Sequence, residues 1–122
     1  MRFTREPSNP SYFNNGSDAN LVWDYTDPQN KIQSIVYSVL VNKALVRMFV
    51  NSSMGVQGTS YIPLSYQGRV KIEGRATLVI KNVNPGDNAE FICELIGSFS
   101  DTFESRVQLI VAGRYYRDKH VT

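Results

Sequence analysis

At 122 residues the chain has material for one hydrophobic core and no room for a second. Thirteen Lys and Arg against eleven Asp and Glu leave a net charge of +2 spread along the chain, which excludes the basic stripe needed to track a phosphate backbone. The apolar run from Ile35 to Val50 is interrupted by Asn42, Lys43 and Arg47, which excludes a transmembrane span.

Taken in chain order, the opening Met-Arg-Phe-Thr lacks the apolar region of a signal peptide, so a secreted parent would contribute this as a mature segment. Turn signals then recur at Asn14-Asn-Gly16, Thr26-Asp-Pro28, Asn42-Lys43, Gly55 to Gly58, Tyr66-Gln-Gly68, Pro85-Gly86 and Gly97-Ser98. The runs between them are short, β-branched and aromatic, with no sustained helical period. This pattern predicts an all-β sandwich. Successive strand side chains point opposite ways, so alternation selects the core: Leu21, Trp23 and Tyr25; Leu78 and Ile80; Phe91, Cys93 and Leu95; Val107, Leu109 and Val111. Gly55-Val-Gln-Gly58 reads as a loop. The cluster Arg114-Tyr-Tyr-Arg-Asp-Lys-His120 reads as a solvated tail, giving one domain over 1–113 and a polar linker over 114–122.

Three pieces between Gly68 and Cys93 carry a resemblance: Arg69 before a short strand, the Leu78-x-Ile80 pair, and Asp87-x-Ala89-x-Phe91-x-Cys93. They resemble strands D, E and F of a variable-type immunoglobulin domain. The resemblance extends with its flanks from Phe3 to Ala112 and implies an immunoglobulin-like (variable-type) two-sheet Greek-key sandwich. Against that pattern, Trp23 stands where the family's first cysteine belongs, seventy positions before Cys93. No tryptophan stands on strand C, where Tyr37 or Ile35 takes its place. A disulfide closing such a loop would contribute on the order of 4 kcal/mol in the chain-entropy model, and a buried indole offsets part of that loss through its apolar area. Lone Cys93 then reads as a small buried hydrophobe, not a nucleophile. Phe91 replaces the tyrosine of the family's tyrosine corner and loses its hydroxyl. Arg69 and Asp87 match the pair that bridges the base of such domains.

For catalysis the sequence offers little. The only His is His120, and there is no metal-spaced Cys/His cluster, nucleophile elbow or phosphate loop. Asp24, Asp27, Glu90, Glu94, Asp101 and Glu104 would serve only if two shared one cleft. The expectation is no enzyme, no metal, no cofactor, no small-molecule substrate and no nucleic-acid partner.

The stretch Ile35–Val50 is more telling. Twelve of its sixteen residues are apolar, so both faces of a hairpin turning at Asn42-Lys43 carry hydrophobic side chains. With Ile35, Tyr37 and Val39 inward, Val36, Ser38 and Leu40 point outward, on the side of Ile92, Ile96 and Ile110. Lys43, Arg47, Glu90, Glu94 and Gln108 border this patch. An exposed apolar surface with a charged rim is a protein-contact face, and the resemblance assigns docking to this same sheet.

One cysteine cannot form an internal disulfide, which alone points to a reducing compartment. Two glycosylation acceptors at predicted turns, Asn15-Gly-Ser17 and Asn51-Ser-Ser53, point outside the cell. The missing first cysteine, Arg75-Ala-Thr-Leu-Val-Ile-Lys-Asn-Val83 and Val107-Gln-Leu-Ile-Val-Ala-Gly113 narrow the resemblance. Together they are similar to the membrane-distal domain of the allorecognition receptors of colonial hydroids (cnidarians). That resemblance implies the extracellular part of a single-pass surface protein, anchored through a C-terminal segment outside this sequence. It implies homophilic binding of the same domain on an opposing cell, for self/non-self discrimination. A heterophilic immune-type receptor or ligand and an intracellular structural immunoglobulin module stay open as alternatives.

Overall fold

A computed structural model describes residues 1–98 and 101–112; the expected tail over 114–122, with His120, lies outside the described residues. Among the described residues, eleven strands follow in order: β1 (Arg2–Arg5), β2 (Ser11–Asn14), β3 (Ala19–Val22), β4 (Asp24–Thr26), β5 (Ile32–Val41), β6 (Ala44–Ser52), β7 (Gly55–Gly58), β8 (Val70–Glu73), β9 (Thr77–Ile80), β10 (Ala89–Gly97) and β11 (Thr102–Ala112). Single 3-10 turns occupy Leu64–Tyr66 and Pro85–Asp87.

The strands form a six-stranded sheet ordered β2-β11-β10-β5-β6-β7, a three-stranded sheet β3-β9-β8, and a two-stranded ribbon β1-β4. All neighbours are antiparallel except β2 and β11. The core lies between the two larger sheets. It joins Ala19, Leu21 and Trp23 with Leu78 and Ile80 on one side, and Ile35, Tyr37, Val39, Phe91, Cys93, Leu95, Val107, Leu109 and Val111 on the other. Alternation fails only at Tyr25, which packs at the margin of this cluster half-buried.

Two local departures from simple alternation shape the sheets. The β5–β6 hairpin turns at Asn42 and Lys43, both with positive φ (49° and 66°), the twist-matched two-residue connection. Further along, the register slips between Tyr37 and Ser38: Tyr37 faces Phe49, but Ser38 faces Arg47. The extra residue is Met48, so Met48 and Phe49 are both buried while Arg47 stays exposed, as a bulge permits.

Two expectations need correction. Gly55–Gly58 is strand β7, not a loop, because its backbone pairs residue for residue with Phe49–Ser52. The expected strand through Leu21, Trp23 and Tyr25 is broken at Trp23. Residues before it pair with β9, and residues after it pair with β1. At the break, the Trp23 backbone N–H still donates to Ala76 O at 3.0 Å.

Candidate protein-contact face

The six-stranded sheet has a second side, and no described strand packs on it. Register places its side chains in rows across the strands. Glu104, Glu94, Val36 and Val50 form one row, and Arg106, Ile92, Ser38 and Arg47 form the next. Gln108 and Glu90 continue on β11 and β10, with Leu40 and Leu45 on β5 and β6. Ile96 stands beside Ser34 at one end and Ile110 beside Tyr12 at the other.

Val36, Ser38 and Ile92 are buried, at 2%, 0% and 0% exposure, yet none belongs to the core between the sheets. They form a separate apolar floor on the outer side of the sheet. This corrects the picture of an open patch at these three positions. Around the floor, Leu40, Glu90, Glu94, Ile96, Gln108 and Ile110 are half-buried, and Lys43 and Arg47 are exposed. Tyr12 (72%) and Leu45 extend the exposed apolar surface at either flank. The Ser38 hydroxyl has no hydrogen-bond partner among the described residues, so the middle of the floor holds an unmatched polar atom, a costly arrangement in a dry site.

Charge is distributed by flank. On β10 and β11, Arg106 is clamped between Glu90 (3.1 Å) and Glu104. Its guanidinium pKa is raised first by the hydrogen bond to Glu104 and then by that to Glu90. Arg47 and Glu94 have no ion-pair partner among the described residues. Sequence reasoning missed Glu104, Arg106, Val50 and Tyr12. Period-two counting back from Gln108 and Ile110 along β11 would have found the first two.

The remaining expected positions are structural. The Arg69 guanidinium meets Asp87 in a two-point pair, 2.6 Å from Oδ2 and 3.3 Å from Oδ1, and also donates to the carbonyls of Ser65, Lys81 and Asn82. Asp87 is held by the turn over Pro85–Asp87, where it accepts from the Asn84 N–H while the Asn84 side chain accepts from Gly86. Tyr66 lies under Arg69, with its ring centroid 5.9 Å from the guanidinium carbon, and packs edge-on against Phe91 at 5.9 Å. Burial, and then the Asp87 charge, push the Tyr66 phenol up to about 12. Tyr37 lies in the core beside Trp23, with ring centroids 6.3 Å apart. Leu78 is fully buried, and Cys93 is buried and free; burial raises its thiol pKa well above the ordinary value.

Asn15 lies exposed in the turn after β2. Asn51 is not at a turn: it sits half-buried within β6, opposite Ile35 and Val56. There it lines a polar cleft of about 630 Å³ at one end of the sandwich with Tyr25, Asp27 and Arg75. Asp27 accepts from the Lys31 and Ile32 backbone N–H groups, and the bond from Ile32 is the first cause of its lowered pKa. Among the described residues no three His, Cys, Asp or Glu side chains gather where a metal ion would sit.

This architecture recurs among solved structures. A chain of the structure of murine CRIg overlays with a TM-score of 0.67 at 16% identity, over 92% of this chain and 99% of that one. A chain from work on the structural basis of T cell specificity and activation by the bacterial superantigen toxic shock syndrome toxin-1 overlays at 0.68 and 13% identity, over 91% and 97%. The fold is an immunoglobulin-like sandwich. No family model matches the sequence, and no curated protein does. Solved chains matching the fold number 1493, so the likeness by itself selects no partner.

Proposed function

We propose that this immunoglobulin-like domain is a recognition module of a cell-surface protein. It binds the same domain on an opposing cell through the outer face of its six-stranded sheet, in discrimination of self from non-self. The observation that carries this reading is that face: an apolar floor with no described layer over it, ringed by half-buried aliphatics and bounded by charges. A sheet meant for solvent would alternate cleanly to polar residues on that side; this one carries Val36, Ile92, Leu40, Ile96 and Ile110. Depleted charge at the centre and a polar rim are the composition of a protein interface. One domain pair would bind weakly, with adhesion arising from many copies on each membrane.

The test is aggregation of beads coated with the domain. Leu40→Asp and Ile96→Asp are the informative substitutions, since both side chains are partly open to solvent; Val36 is too buried to change without risk to the fold. Self-clumping that vanishes in the double variant, with melting unchanged, supports docking through this face. Absence of clumping at high coating density refutes homophily by this domain and shifts the weight to a heterophilic partner. The buried free Cys93 favours a further alternative, an intracellular structural module, which predicts that neither Asn15 nor Asn51 carries a glycan in the native protein.

A further inference from the structure

The charged side chains of the outer face divide into those satisfied within the chain and those that are not. Arg106 takes both Glu90 and Glu104. Arg47 on β6 and Glu94 on β10 are left without an ion-pair partner among the described residues. They stand on opposite sides of β5, one row apart: Glu94 beside Val36, Arg47 beside Ser38. Two strand spacings across and one pleat repeat along put their backbones roughly 12 Å apart.

Resting on the homophilic reading above, we infer that the second copy seats on this face across a twofold axis, so that Arg47 of each copy pairs with Glu94 of the other. The argument is one of self-complementarity. A face-to-face twofold contact brings a residue against the mirror position of its own pattern, so a face fits itself only if opposite charges exchange places across the axis. Arg47 and Glu94 form one diagonal of a small square whose other diagonal runs from Ile92 to Val50. An axis lying in the interface and crossing β5 between Val36 and Ser38, perpendicular to the charged diagonal, exchanges Arg47 with the partner's Glu94. The apolar diagonal then lies near the axis, where apolar groups meet their own copies.

The flanks follow the same rule. The β10–β11 flank holds three carboxylates and one guanidinium; the β6 side and the hairpin tip hold the cations Arg47 and Lys43. Each acidic flank therefore meets a basic one. An axis along the charged diagonal would instead set Arg47 against Arg47 and Glu94 against Glu94, at a cost in affinity that disfavours that register.

The experiment is a charge-exchange set measured by bead co-aggregation and by sedimentation: wild type, Arg47→Glu, Glu94→Arg, and the double exchange. Each single variant is expected to lose self-association about tenfold or more. The two single variants should bind one another. In that mixed pair the introduced glutamate meets the introduced arginine, and the unchanged Arg47 of one copy meets the unchanged Glu94 of the other. The double exchange should bind itself and reject the wild type. Arg47 is exposed and Glu94 half-buried on the outer face, and melting curves confirm that each variant folds. If wild type self-associates but the single variants match it, the Arg47–Glu94 pairing is wrong while the homophilic reading stands. If wild type shows no self-association in either assay, both fall.

Discussion

The indole N–H of Trp23 donates to the Ser105 Oγ at 2.9 Å, and the Ser105 hydroxyl in turn donates to Glu6. Trp23 sits at the break between β3 and β4; Ser105 is on β11 of the opposite sheet, in register with Cys93. Trp23 thus reaches the other sheet by a hydrogen bond, while the buried Cys93 opposite Ser105 stays free. Ser105→Ala leaves a buried donor without a partner and should cost about 1–3 kcal/mol. Urea denaturation with the slope unchanged and the midpoint lowered would show it; an unchanged midpoint would mean that the bond contributes nothing to stability.

Arg69 and Asp87 join the start of β8 to the turn before β10. Removing the cation leaves a carboxylate with 3% of its side chain exposed. A fully buried pair broken on one side costs about 3–5 kcal/mol, but Arg69 keeps a quarter of its side-chain surface in water, so Arg69→Ala should cost about 2–3 kcal/mol. Thermal melting of Arg69→Ala beside Arg69→Lys separates charge from geometry: the lysine keeps the charge and loses the two-point contact.

Alkaline titration reports on Tyr66. Its folded-state pKa of about 12 lies above the ordinary phenol value of 10.0, so the folded state holds the proton more tightly than the unfolded chain. The stability this contributes is fully present below pH 10 and is lost as pH rises toward 12. Tyr66→Phe should flatten that decline, leaving the parts due to Tyr37 and Cys93, whose burial also raises their pKa values. Equal slopes for variant and wild type would refute the assignment.

Cys93 should be silent toward a thiol reagent at pH 8 in the folded domain and react fully in denaturant, because the thiolate is the reactive form and burial suppresses it. Rapid labelling of the native protein would contradict its place in the core.

The two glycosylation acceptors should behave differently in a eukaryotic secretory host. Asn15 projects from an exposed turn; Asn51 lies between paired strands. Asn15→Gln should remove the mass lost on deglycosylation, and Asn51→Gln should leave it. Full occupancy of Asn51 would require the cleft at that end of the sandwich to hold sugar.

Much of this was legible in the sequence. Period-two spacing selected Phe91, Cys93, Leu95, Val107, Leu109 and Val111, and their burial follows from alternation alone. The Asn42-Lys43 tip was legible as the polar break in an otherwise apolar run; its second positive φ, at Lys43, was not, since lysine rarely adopts it. What escaped is what strand spacing cannot encode. The break at Trp23 sends Tyr25 to the ribbon with β1, where it stacks under Arg75, the guanidinium carbon 4.1 Å from the ring centroid. Met48 enters the core through a bulge that shifts register without any Gly or Pro to announce it. On the outer face, alternation gives direction but not depth. Val36 and Leu40 point the same way, and only neighbouring side chains decide that the first is closed to water and the second is not.

Trp23 is also the only tryptophan in the chain. Its ring spans the seam between the sheets in a dry environment, so its emission tracks the integrity of that seam with no second fluorophore of its kind to confuse the signal. Parting of the sheets would wet the indole and move its emission to the red. A face variant that has stopped binding because its sandwich has opened thus announces itself spectroscopically, whereas one that has lost only its docking partner keeps the spectrum of the parent.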